Sequence, residues 1–72
     1  MRYLEIGFDE ACSRYFVGDL TVAVYRGVYA NDYIKDVPLA PKGDLLSNAL
    51  KNIVEGLDDN CHYSFRFYRE ID

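Results

Sequence analysis

One histidine, His62, stands beside one of the chain's two cysteines, Cys61, while the other, Cys12, lies far from both in sequence. A thiol and an imidazole are the minimal equipment for nucleophilic catalysis, in which the base takes the thiol proton and a third group orients the base. Side chains alternate along an extended segment, so Cys61 and His62 point to opposite faces and cannot touch. A Cys12–His62 dyad requires the segment 9–16 to lie over the outer face of whatever sheet carries His62. Carboxylates occur as neighbours in Asp9-Glu10 and Asp58-Asp59, and Asp32 stands near Asp36. Acid–base work would need them in an enclosed cleft, which a chain this short rarely builds; caps and solvated loops account for most of them. The two cysteines and single histidine lack the clustered spacing of a zinc site, and "LDDNCHY" lacks the alternating ligands and central glycine of a calcium loop. No nucleotide-binding glycine run occurs. In "PKGD" the backbone amides could face an anion, but Asp44 is expected to occupy that place as a helix cap. The expectation is no metal, no cofactor and no enzyme; the rival is a small enzyme or cofactor-binding protein using Cys12 and His62.

A different chemistry is concentrated in "TVAVYRGVYANDY", where Tyr25, Tyr29 and Tyr33 recur every four residues. That interval fits one face of a helix and one face of a strand alike. The β-branched Thr21, Val22, Val24 and Val28 decide for strand, because they lose χ1 freedom in a helix and suit a pleated surface. Val22, Val24 and Val28 then share one face with Arg26, an awkward companion, and Ala23, Tyr25 and Tyr29 share the other; Gly27 suggests a bulge. Asn31 and Asp32 tolerate the left-handed conformation of a turn. With a three-residue loop, Ala30 to Asp32, Tyr29 faces Tyr33 and the three tyrosines align. With an Asn31-Asp32 turn, Tyr33 joins the valines and Ile34 replaces it.

These residues need elements to hold them. "RYLEIGF" alternates, placing Leu4, Ile6 and Phe8 opposite Tyr3, Glu5 and Gly7, which predicts a strand over 2–8. "DEACSRYF" changes period and reads as one helical turn or a loop. Gly18-Asp19 suits a tight turn, after which the second strand starts near Leu20. "YIKDV" gives a third strand before Pro38. The clearest element is an amphipathic helix over 44–56: Leu45, Leu46, Ala49, Leu50, Ile53, Val54 and Leu57 form its apolar face, Asp44 its N-cap, and Gly56 a left-handed stop with Leu57 as latch. The last strand, "CHYSFRFYRE", sets Cys61, Tyr63, Phe65 and Phe67 against His62, Ser64, Arg66, Tyr68 and Glu70. One domain spanning 1–72 follows, an α+β fold in the order β-β-β-α-β, with a small antiparallel sheet of three to four strands. One helix covers one sheet face and nothing remains to cover the other, so Tyr25, Tyr29, Tyr33, Arg66 and Tyr68 are the expected protein-binding residues.

Composition narrows the partner. The chain has 72 residues, of which half are hydrophobic, so it should fold, though with a thin margin at this size. Twelve acidic against eight basic residues give a net charge of −4, which repels phosphate backbones and anionic membrane surfaces. Exposed aromatics near Arg26, Arg66 and Arg69 could stack bases, yet Asp32 and Asp36 share their hairpin and no RNP-like run occurs. Nucleic acid is therefore disfavoured and no membrane partner is expected. "MRYLEIGFDEAC" has no secretory apolar run, and two cysteines are fewer than a small secreted domain carries, so a cytoplasmic chain with two free, buried thiols is expected. Seven tyrosines and no tryptophan favour a protein partner, one with a basic surface, or a second copy of the chain in a homodimer. In type the chain resembles the small acidic inhibitors that phages make against host defence systems, some of which occlude nucleic-acid-binding surfaces. That likeness covers size and charge and no particular residues.

Overall fold

Alternating strands and two helical stretches assemble, in the computed structural model, into an α+β fold; residues 2–41 and 44–71 are described. The elements are β1 (Arg2–Ile6), α1 (Phe8–Tyr15), β2 (Leu20–Arg26), β3 (Asp32–Leu39), α2 (Leu46–Glu55) and β4 (Tyr63–Ile71). The expected order of strands and main helix holds, and the segment after β1 resolves into a full helix. Phe8 opens that helix instead of closing β1. Asp9 and Glu10 occupy its first turn, where carboxylates favour the positive end of the dipole, and Ala11 and Tyr15, four apart, share its buried side.

The sheet is antiparallel throughout in the order β1-β4-β2-β3. Consequently β1 runs parallel to β2 with β4 between them, and β3 runs parallel to β4 with β2 between them. Parallel strands need a crossover, and α1 and α2 supply one each, so two split β-α-β units interlock. Both helices pack on one face: Ala11 and Tyr15 of α1 and Leu46 of α2 join Leu20, Val22, Val24 and Phe67 in the core, with Ile34, Ile53, Phe65 and Leu57 packed around them. Two helices, not one, therefore cover this face. Arg14 pairs with Glu10 one turn earlier in α1 at 3.8 Å and with Asp19 of the following turn at 3.6 Å, and the 3.3 Å approach of Arg69 Nε to Glu10 ties α1 to β4. At partly exposed positions each contributes little.

The turns depend on glycine twice. Gly18 has φ +89, and a Cβ there would lie 2.9 Å from Cγ of Pro41, so the α1–β2 turn and the chain leaving β3 fit only without a side chain. Gly27 (φ +97) opens the β2–β3 turn, whose left-handed non-glycine residue is Ala30, not Asn31 or Asp32. Asp32 already belongs to β3, paired with Arg26 and 3.7 Å from its guanidinium. This resolves the awkwardness of Arg26: it sits at the end of β2, exposed, where the apolar face has run out. Val28 lies in the turn and leaves the valine face. β3 continues through Pro38, which an edge strand tolerates because its missing N–H breaks no central ladder.

Helix α2 is shorter than 44–56. Leu45, not Asp44, occupies its cap position, and among the described residues no side chain caps it. Gly56 stands at the C-cap with φ −87, so the left-handed stop does not form, although Leu57 does latch onto the core. Part of "PKGD", Lys42 and Gly43, lies outside the described residues. Among the described residues no helix is long and apolar enough to cross a membrane.

Candidate functional site

Strand register determines which side chains reach the face that neither helix covers. Leu20, Val22 and Val24 point into the core, so Thr21, Ala23 and Tyr25 point out, and their partners follow. Thr21 pairs with Tyr68 and Pro38, Ala23 with Arg66 and Asp36, and Tyr25 with Ser64 and Tyr33; on the far edge Glu5 pairs with Tyr68. Tyr33 and Asp36 are three residues apart, an odd interval that alternation alone would split between faces. A bulge between Val24 and Tyr25 absorbs the difference: Ile34 is left without a partner in the register and packs on the core, while Tyr33 remains outside.

Small residues in the middle strand and large ones around them make the face concave. Ala23, only 3% exposed, and Thr21 form the floor; Tyr3, Tyr25, Tyr33, Tyr68, Pro38 and Asp36 complete the lining of a hollow of about 500 Å³. The rings of Tyr25 and Tyr33 meet edge to face at 5.6 Å. Beside them Arg66 stacks on Tyr25, its guanidinium carbon 5.5 Å from the ring centre, and its Nη1 lies 3.5 Å from Oε1 of Glu5. The Tyr68 hydroxyl reaches the same carboxylate oxygen at 3.5 Å.

Two of these phenols hold their protons more tightly than an ordinary tyrosine. Partial withdrawal from water raises Tyr33 above 10.0, and the hydrogen-bonding pull and negative charge of Asp36 add to it. Withdrawal from water also raises Tyr68, helped by the Tyr25 phenol and Glu5 and opposed by Arg66. Tyr63, on the helix side, is raised mainly by withdrawal from water, against the lowering effect of the Asp58 backbone. The folded state therefore binds these protons longer than the unfolded chain. Their contribution to stability is complete below about pH 10 and is lost as the pH climbs through the raised values. The urea midpoint should accordingly fall as the pH rises beyond about 10. Tyr33→Phe and Tyr68→Phe together should shallow the fall, and an unchanged slope in that double variant would contradict the assignment.

Four of the five residues expected at the site, Tyr25, Tyr33, Arg66 and Tyr68, gather on this face. Tyr29 does not: it stands in the turn after Gly27, 86% exposed, away from the hollow. Neither loop expected from the sequence forms, since the turn begins at Gly27 and Tyr25, not Tyr29, opposes Tyr33. Tyr3 belongs to the site, and its alternation with Leu4 already placed it opposite the apolar side of β1. Asp36 and Pro38 had no such signal, because the bulge that sets their parity leaves no mark in the sequence.

The other chemistry-bearing residues are dispersed. Glu10, two residues before Cys12, meets Arg69 near one end of β4, whereas His62 precedes the other end, about 23 Å away along the strand. The structure does not bring the dyad together. Both thiols are free and half-buried. Asp58 serves its own loop, accepting the Asn60 N–H at 3.0 Å and bonding the Tyr63 hydroxyl through its backbone. Among the described residues no three His, Cys, Asp or Glu side chains are grouped to hold a metal. No protein-family model, curated protein or solved structure matches the chain.

Proposed function

We propose that the chain acts by stoichiometric binding of a partner protein, with the uncovered sheet face as the contact surface. The observation that carries this reading is the tyrosine-walled hollow on the one face that both helices leave open. Tyrosine offers large, rigid contact area with few rotatable bonds and a hydroxyl that can bond across an interface, and tyrosine and arginine are enriched at interface centres. The dispersal of Cys12 and His62 favours binding over the small-enzyme alternative. The net charge of −4 steers the chain toward a basic surface, and an inhibitor that covers the nucleic-acid-binding surface of its target is the form of this function that suits its size and acidity.

Photo-crosslinking in the cells that produce the protein tests the reading. A benzoylphenylalanine placed at Tyr33 should give one discrete adduct with the mass of one chain plus one partner. The same group at Lys51, on the outer side of α2, should not. Equal adducts at both positions, or adducts only with a second copy of the chain, would overturn it.

A further inference from the structure

The hollow is more specific in composition than a general contact surface. Its described lining consists of the phenol rings of Tyr3, Tyr25, Tyr33 and Tyr68, the ring of Pro38, Thr21 and Ala23, and one carboxylate, Asp36, with no basic side chain among them. Arg66 stands at its margin but is engaged with Glu5 and with the Tyr25 ring, and the Arg66–Glu5 pair cancels in charge. Among the described residues the net charge of the lining is therefore the negative charge of Asp36, which the register sets opposite Ala23 of the floor.

Aromatic faces around a carboxylate attract an organic cation. The negative π-faces and the carboxylate act with the same sign, and both repel phosphate. The Arg66–Tyr25 stack is an instance of this interaction on the same face: a guanidinium already lies against one of these rings. A planar guanidinium can stack on a ring and hydrogen-bond to a carboxylate at once, which a compact ammonium cannot do as well. We propose that the hollow seats an arginine side chain presented by the basic surface of the partner protein. The inference rests on the reading of this face as a protein-binding surface and adds the chemistry of what it takes.

The test is a titration of the full chain with acetyl-Gly-Arg-Gly-amide, followed through the ring resonances of the tyrosines. The control is the same peptide with citrulline, which keeps the planar group and loses the charge. The arginine peptide should shift Tyr25, Tyr33 and Tyr68 with a Kd of about 1–10 mM, leave Tyr29 unmoved, and bind about 10-fold more tightly than the citrulline peptide. Asp36→Asn, at an exposed position where the fold should tolerate it, should weaken the arginine peptide about 5-fold and leave the citrulline peptide unchanged. Equal affinity of the two peptides, no ring shift at all, or tighter occupation of the same rings by a uridine octanucleotide would overturn the proposal. Loss of arginine preference alongside a one-to-one adduct at position 33 removes only the arginine. Arginine preference with no adduct removes the protein partner.

Discussion

Tyr15→Ala should remove a large share of the chain's stability and lower its melting temperature by about 12–40 °C. The ring is 1% exposed at the last position of α1, among Ala11, Leu20, Val22 and Leu46, where the first helix meets the sheet and the second helix. Truncating a buried aromatic to alanine costs about 3–5 kcal/mol, through lost transfer energy and the cavity left behind. At about 0.05–0.15 kcal/mol per residue, a domain of this length has about 4–11 kcal/mol in total. The variant therefore loses a large share of its stability. The topology aggravates the loss, because α1 is the crossover that lets β1 and β2 run parallel on either side of β4. Its neighbour Phe16 provides the contrast: it packs edge-on against Tyr15 at 5.6 Å but is 59% exposed, so Phe16→Ala should cost about 1 kcal/mol or less. Circular-dichroism melting separates the two. A cooperative transition in Tyr15→Ala within a few degrees of the parent would show that α1 is not essential to the packing.

How much of this could be seen in the sequence depended on whether the information was local. Strand β4 was legible because Tyr63, Phe65 and Phe67 alternate with polar residues over a long run, and α2 because its apolar positions repeat with the helical period. Phe8 was misleading for a local reason: it continues the alternation of Leu4 and Ile6, yet the acidic pair behind it and the Ala11–Tyr15 spacing make it the first residue of a helix. Its ring still packs against Phe67, at 5.8 Å, so the apolar character served the same layer from a different element. Asp44 is a better cap by residue type than Leu45, but a cap is worth about 1 kcal/mol and the burial of Leu46 outweighs it in placing the helix start. The open face followed from the shortage of chain to cover a sheet. It survives the appearance of a second helix only because both crossovers fall on the same side, a fact of topology that no window of sequence contains. The tyrosine row failed for a related reason. An interval of four fits either period, and the place where β2 ends is set by Gly27 and the bulge, so Tyr25 found Tyr33 across the sheet while Tyr29 was left in the turn.

Tyr25→Ser combined with Tyr33→Ser should reduce partner binding about 100-fold or more while the protein remains folded. The two rings pair across β2 and β3 on the outer face, in contact with each other, and Tyr25 also with Arg66, but they are not among the core residues. A cross-strand aromatic pair of this kind stabilises a sheet by about 1 kcal/mol, so the melt should shift by only a few degrees. At an interface centre a tyrosine typically carries about 2 kcal/mol, near 30-fold in affinity, and two would give almost 1,000-fold if they acted independently. They touch, so the combined effect should fall short of that product; the difference, read from a double-mutant cycle, measures how far the pair acts as one wall of the hollow. Tyr29→Ser is the internal control, since a tyrosine in the turn should change binding less than about 2-fold. Equal losses from Tyr29 and from the pair would place the contact at the end of the hairpin, with the hollow outside it. Unfolding of the double variant would mean that the rings support the sheet from a face the fold cannot do without.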